Sequence, residues 1–306
     1  MSNKKKRLGG LTGSTVFDLP FYRVLPYVLI PMLLYVFSCF IPVIGAVYYS
    51  LNNTFNFQFR FIGTGNYTAL FKDPVFWLSL KNNLKIMMIS ACFQFVPAVI
   101  IACMMTTNLV RGKRFVQSMF FFPCVVSPIV ITNVWKVMYT MRGGVINTFL
   151  TAIGLQALAQ NWLADPKIIM TTIGIPLAWQ FIGYYLVIVA SAISNIDYSL
   201  LEIAMIDGAT GFARTWHIIL PLIRNTLVVA LIICISGSIK IFDQVFAMTS
   251  GGPGYASSVL SMYAYNKSFV EGNFGYASAI SVSMMLISFV MVILLNVSKK
   301  AVRNDE

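Results

Sequence analysis

The sequence predicts an all-α integral membrane protein with six transmembrane helices, and three observations carry that expectation. Of 306 residues, 58% are hydrophobic and 10% charged, against roughly 25% charged in an ordinary soluble domain, and the mean hydropathy is +0.77. The apolar residues fall in blocks too long for elements of a soluble core and long enough to cross a bilayer. The blocks lack the alternation of barrel strands, so helices, which satisfy their own backbone groups, are the form that hydrocarbon allows.

The first span runs from Val24 to Leu51, the second from Leu84 to Thr107 and the third from Phe115 to Tyr139. The fourth covers Ile169 to Ile193, the fifth Thr226 to Met248 and the sixth Tyr276 to Val297. Residues 1–23 form a basic N-terminal segment and 299–306 a short tail; the six-helix block 24–298 between them contains a polar loop at 196–223. The basic start precedes an apolar run too long for a signal peptide, without a small-residue cleavage site, so it is read as the first helix.

Orientation follows from the cations. Lys4, Lys5, Lys6, Arg7, Arg23, Arg111, Lys113, Arg114, Arg214, Arg224, Lys299, Lys300 and Arg303 fall on one side. Arg60, Lys72, Lys81, Arg142, Lys167 and Lys267 fall on the other. The richer side is cytoplasmic, which puts both termini and the 196–223 loop there. The formal +12 is then a topology signal and an attraction to anionic lipid; no basic face with interleaved aromatics marks a nucleic-acid partner. The five cysteines lie inside spans without CxxC spacing and read as small buried hydrophobes, with no metal site.

No catalytic residues are assigned. His217 is the only histidine, so neither a Ser–His–Asp arrangement nor a histidine metal cage can be assembled easily. A GxSxG elbow and a GxxxxGK[ST] phosphate loop are both missing from the sequence, so the chain is not expected to hydrolyse ATP itself. Seven prolines (Pro26, Pro31, Pro42, Pro97, Pro123, Pro128, Pro176) lie inside spans; together they favour kinked, mobile helices, although proline is common in membrane helices generally.

The loop "LLEIAMIDGATGFARTWHIILPLI", residues 200–223, reads as two short helices. Ser199 and Glu202 have capping-box spacing and start a helix near Leu200. Gly208 supplies the left-handed geometry that ends it. A second helix from Gly211 to Ile219 places Phe212, Trp216 and Ile219 on one face, and Pro221 stops it before the fifth span. Such a bent pair suits a groove on another protein, or lies on the lipid surface.

Glu202, Ala204, Asp207, Gly208, Ala209, Ile218, Leu220 and Pro221 resemble the EAA loop of ABC-importer permeases of the carbohydrate-uptake, maltose-transporter type. The segment Phe242 to Pro253, "FDQVFAMTSGGP", also resembles the first-permease branch of that family. Ile203, Thr215 and Asn225 depart from the pattern, where a small residue, an aromatic and a proline are usual. The resemblance implies a type I importer fold in a bacterial cell membrane and a coupling helix docked on a cytoplasmic ATPase, with Phe212 and Trp216 on the same coupling loop. It implies as partners a second related permease, two copies of the ATPase and an extracellular sugar-binding protein, beside membrane lipid. Cofactors are none in this chain, ATP-Mg being bound by the ATPase. The implied activity is ATP-driven sugar import by alternating access; the alternative is a stand-alone channel or secondary carrier whose loop lies on the membrane.

Sugars offer C–H faces for stacking and hydroxyls for hydrogen bonds. Trp179 and Gln180 fall near the midplane of the fourth span, with Tyr184 one turn below, and Gln94, Ser236, Ser238 and Asp243 are polar in apolar surroundings. These are the substrate-pathway candidates, each also fitting the plainer role of helix glue. Lys240 and Asp243 are spaced to pair. The loop "SGGPGYASS", residues 250–258, either drops back onto the helices or meets the binding protein. In the aromatic segment 52–81, Phe76 and Trp77 are candidate interface anchors.

Overall fold

The computed structural model describes residues 21–54, 59–106, 110–209 and 211–304. The basic N-terminal segment up to Pro20, the predicted end of the second span at Thr107 and the last two residues of the tail lie outside the described residues. The chain divides into two compact units at Tyr48/Tyr49.

The described part of the first unit is helical throughout; it belongs to helix α1, whose membrane-length stretch Val24–Ser50 ends two residues into the second unit. A π turn at Val36–Phe40 interrupts its α-helical bonding two residues before Pro42. The same arrangement recurs in the second unit, where π turns at Ala91–Phe95 and Thr215–Ile219 precede Pro97 and Pro221. A proline ring clashes with the carbonyl four residues back and donates no bond; widening the preceding turn by one residue relieves the clash. Helix therefore continues past each of these prolines by way of a π turn.

The second unit opens with two short antiparallel strands, β1 (Asn52–Asn53) and β2 (Arg60–Phe61), then helix α2 (Gly65–Lys72). Helix α3, Pro74–Met104, is the second span and starts well before the predicted Leu84. Its start is set by Asp73, whose Oδ1 accepts from the Val75 amide at 2.8 Å, and by Pro74 in the first turn, where a missing N–H costs nothing. Hydropathy placed this turn outside because Lys81, Asn82 and Asn83 dilute it.

The predicted third span is two helices, α4 (Lys113–Val125) and α5 (Pro128–Met138), bent by 95°. Proline disfavours α geometry in the residue before it, and Ser127 is extended at φ −54°, ψ 134°. Helix α6 (Val145–Ala152) leads to α7 (Ile169–Ser194), the fourth span, as expected. The loop then forms α8 (Tyr198–Ile206) and α9 (211–222). The fifth span is α10 (Arg224–Ile239) and α11 (Asp243–Thr249), with helical bonding interrupted at 240–242. Helix α12 covers 260–270, and α13 (Phe274–Asn304) carries the sixth span, Phe274–Val297. Among the described residues, five helices are long and apolar enough to cross a membrane, six if the bent pair counts as one span.

Helix α7 is the centre of the unit. Ile173, Leu177, Leu186 and Val189 are buried in the two larger apolar clusters, one on each side of Gln180. Close approach to α4 requires Gly183, where an added Cβ would meet the Phe120 carbonyl oxygen at 2.1 Å. Small residues let membrane helices cross this tightly, and the packing supplies attraction that lipid does not. Cys103 and Cys234 are buried as expected, but Cys39 and Cys92 are exposed.

A polar seam joins α3 to the end of the fold. Tyr263 and Tyr276 both donate to Asp73 Oδ2, the latter at 2.6 Å. Burial pushes the Asp73 carboxyl up, but the two phenols, the Val75 amide and the Lys267 charge outweigh it and hold the group below its usual value. Burial, with Asp73 beside it, raises the Tyr263 phenol. Asn82 donates to the carbonyls of Ala256 and Ser258, each at 2.9 Å. The glycine-rich loop thus drops back onto the helices, with Ser257 and Ser258 fully buried. Phe76 is likewise buried in a core cluster and is not an interface anchor, whereas Trp77 is exposed and its indole donates to the Phe71 carbonyl at 2.9 Å.

Candidate functional site

The break in the fifth span opens a cavity of about 220 Å³, lined by Ser90, Gln94, Ser238, Lys240, Asp243 and Gln244 among others. Its geometry depends on Asn83. The Asn83 amide donates to the Ile239 carbonyl at 2.9 Å, and its Oδ1 accepts from the Leu260 amide at 2.9 Å. One side chain therefore caps the end of α10 and the start of α12, where Ile239 and Leu260 are both buried away from solvent. Ser90 Oγ is buried without a hydrogen-bond partner, and Gln94 lies one turn on, across the π turn.

Of the predicted pathway residues, Gln94, Ser238 and Asp243 come together at this cavity, while four do not. Gln180 is 1% exposed; its Nε2 donates at 3.0 Å to the Val126 carbonyl freed by the α4–α5 bend, and its Oε1 accepts from Gln244 at 3.4 Å. It ties helices together behind the cavity. Trp179 packs edge-on against Trp135 at 6.0 Å, and Tyr184 against Tyr185 at 5.1 Å, both partly exposed. The cavity face of α7 is instead Leu177, Phe181 and Tyr185, one residue around the helix from Gln180 and Tyr184. Depth along a helix was readable from hydropathy, but rotation was not. Ser236 faces a second cavity of about 370 Å³ with Ser281 and Ser288. Lys240 and Asp243 both line the first cavity and form no ion pair with each other, because the break removes the helical spacing that would align them.

Sequence reasoning missed Ser79, Asn82, Asn83 and Ser90, which fall on one face of α3. Setting the span boundary at Leu84 left the first three in a loop; polar residues at 79, 83, 90 and 94, on a helical period, were the available signal.

The loop between α7 and α10 has a different character. Helix α8 is capped by Asp197, whose Oδ1 accepts from the Ser199 amide at 3.0 Å, so the expected Ser199–Glu202 box does not form and the helix begins at Tyr198. It ends as expected at Gly208, with φ +82°. Ala209 N–H reaches the Ala204 carbonyl at 2.9 Å and Gly208 N–H the Met205 carbonyl at 3.2 Å, the paired bonds of a Schellman termination. Ala204 is the buried contact of α8. Glu202, Ile203, Ile206 and Asp207 are all exposed, Ile206 at 84%. The Glu202 side chain makes no hydrogen bond among the described residues, leaving its carboxylate free for an outside partner.

Helix α9 departs from expectation twice. Its π turn rotates Ile219 off the Phe212–Trp216 stripe into a core cluster, and Pro221 does not stop it, since helix continues to Leu222. Phe212 and Trp216 stack at 5.9 Å with 14° between planes and, with Leu220, face the second half of α3. They are not on the face that α8 presents.

Residues 76–304 match the family described as the binding-protein-dependent transport system inner membrane component. The chain belongs to this permease family. It is a membrane transport component and not an enzyme, and family membership replaces the stand-alone channel or carrier alternative. The permease is 34% identical over 273 residues to the probable ABC transporter permease YurN of Bacillus subtilis, covering 88% of this chain and 94% of that protein. It is 31% identical to the lactose transport system permease LacF of Rhizobium radiobacter, covering 82% and 85%. Against the trehalose/maltose transport system permease MalF of Thermococcus litoralis the identity is 30%, covering 88% and 92%. In fold it is similar to a chain of a bacterial alginate ABC transporter solved with an alginate-bound periplasmic protein, with a TM-score of 0.81 and 22% identity over 92% of this chain and 95% of that one.

Proposed function

We propose that this permease is one of two membrane subunits of an ATP-driven sugar importer, fed by an extracellular binding protein and driven by two copies of a cytoplasmic ATPase. The observation that carries the reading is α8: a capped helix presenting Ile203 and Ile206 between two free carboxylates, on a chain otherwise built for lipid. An exposed apolar patch with charged edges fits a protein partner. The cation distribution supports cytoplasmic termini and a cytoplasmic loop. ATP-Mg is bound by the ATPase, and this chain's part is to receive the motion. Glu202, Ala204, Asp207, Gly208 and Ala209 form the docking element, while α9, with Leu220 and Pro221, relays displacement into α10.

The polar cavity at the fifth-span break is the proposed sugar contact. Gln94, Ser238 and Gln244 offer donors and acceptors, Phe181 and Tyr185 offer ring faces, and Lys240 and Asp243 together add no net charge. This suits a neutral hydroxylated substrate, in keeping with relatives named for lactose and for trehalose and maltose. Trp179 and Tyr184, on the exposed side of α7, are proposed to meet the second permease. Alternating access moves the cavity between the two sides.

The test is co-purification of the tagged permease from native membranes in mild detergent, beside Glu202→Lys. An ATPase and a second permease accompany the wild type, and the ATPase is lost from the variant. A wild-type permease that emerges alone, under conditions preserving a known membrane complex, overturns the reading.

A further inference from the structure

An apolar groove of about 630 Å³ runs between the second half of α3 and the face of α9 that carries Phe212 and Trp216. Val96, Ile100 and Met104 line one wall at successive turns, and the stacked aromatic rings form the other. No charged side chain lines it. Phe212 is 78% and Trp216 58% exposed, so two large rings are held open beside a membrane helix with nothing of the second unit covering them.

Depth selects the occupant. From Val96 to Met104 the groove follows α3 for about 12 Å at the helical rise, inside the membrane-spanning stretch. A soluble protein docking on the loop reaches only its outer end. The groove's lining offers an occupant almost no hydrogen-bonding group, which suits the bare hydrocarbon of an acyl chain. Charge selects the headgroup. Arg214, between the two aromatics in sequence, donates from Nη2 to the Thr106 carbonyl at 3.4 Å, which puts a guanidinium where the two walls meet at the end of α3. Lys113 and Arg114 open the next helix.

We propose that this groove binds one acyl chain of an anionic phospholipid, with Phe212 and Trp216 against the chain and Arg214 at the level of its phosphate. Aromatic rings beside cations are the residues that settle at the headgroup boundary. The orientation proposed above makes this the cytoplasmic leaflet; the groove's chemistry does not depend on it. A lipid chain lodged there wedges α9 against α3, so that displacement of the loop passes into α10 and is not lost in the gap.

The experiment places the photo-crosslinker benzoylphenylalanine at position 212 in the assembled complex, reconstituted in vesicles of phosphatidylglycerol and phosphatidylethanolamine, and identifies the adduct by mass spectrometry. The expected adduct is phospholipid, enriched in phosphatidylglycerol over its share of the vesicle, with the enrichment lost in Arg214→Gln. Ile100→Trp fills the groove and lowers the lipid adduct about tenfold, the loss of roughly two buried methylenes, without releasing the ATPase. Met104→Trp, at the shallow end, repeats the test should Ile100→Trp fail to assemble. Cross-linking to protein, whether the first span of this chain, a second permease or the ATPase, overturns the proposal, as do an absent adduct and a lipid adduct indifferent to both tryptophans. None of these outcomes alters the Glu202→Lys co-purification result, so the two readings fail separately.

Discussion

Replacing Asn83 by alanine removes the side chain that ties the end of α10, at the fifth-span break, to the start of α12. In the native protein its amide holds the Ile239 carbonyl and its carbonyl oxygen holds the Leu260 amide, each at 2.9 Å, and the residue is 1% exposed. Alanine leaves a buried acceptor and a buried donor without partners, at about 1–3 kcal/mol each, so about 2–6 kcal/mol in all. At about 2.1 cal/mol/K of unfolding entropy per residue, a chain of this size loses about 1.5 °C per kcal/mol, which predicts a fall of at least about 3 °C. Thermal unfolding of the detergent-solubilised complex, followed by gel filtration of the remaining folded fraction, reads the change. Substrate uptake should fall further than stability alone accounts for, because residues 240–244 line the cavity. Asn82→Ala orphans the Ala256 and Ser258 carbonyls but also removes a buried Oδ1 that has no partner, and should cost less. A Tm within about 1 °C of wild type for Asn83→Ala, with normal uptake, would refute the claim that this side chain sets the break.

Other perturbations separate the remaining elements. Gly208→Val puts a β-branched residue at φ +82°, costing about 1–2 kcal/mol locally; ATPase stimulation by substrate should drop while the membrane helices keep their Tm. Gly183→Val drives a side chain into the Phe120 carbonyl, and folded yield after solubilisation should collapse. The Asp73 carboxyl is depressed in the folded state, so its contribution is fully present above the unfolded value of about 3.9 and is lost as pH falls through the lower folded value. Wild type should therefore lose Tm in acid below about pH 4 more steeply than Asp73→Asn, and parallel curves would show that Asp73 is not the acid-labile contact. Ser90→Ala removes a buried hydroxyl that has no partner; Tm should hold or rise slightly while the KM for uptake increases, and an unchanged KM would remove Ser90 from the substrate path.

Much of the architecture was legible before any coordinates. Burial in lipid demands long apolar helices, so five of the six spans stand where hydropathy put them, with shifted ends and, in the fifth, an internal break. The left-handed residue at Gly208 was readable because only glycine accepts that geometry cheaply, and the exposed acid at Glu202 because a polar loop between apolar spans must face a partner outside lipid. The helix start at Asp197 was not, since Asp197 and Ser199 are both good caps and the choice rests on where α7 releases the chain.

The sequence by itself determined the solvent of this protein, its helical class and the position of its polar loop, because those follow from local composition and from the conformational limits of glycine and proline. Only the tertiary structure decided which way each helix is rotated. The cavity side of α7 is Phe181 and Tyr185 where Gln180 and Tyr184 were expected, and Asn83, Ser90 and Gln94 share one polar seam on α3. Along α7 both faces are apolar, so no amphipathic stripe reports its rotation; it is set by contacts between residues far apart in sequence, such as Gln180 with Val126.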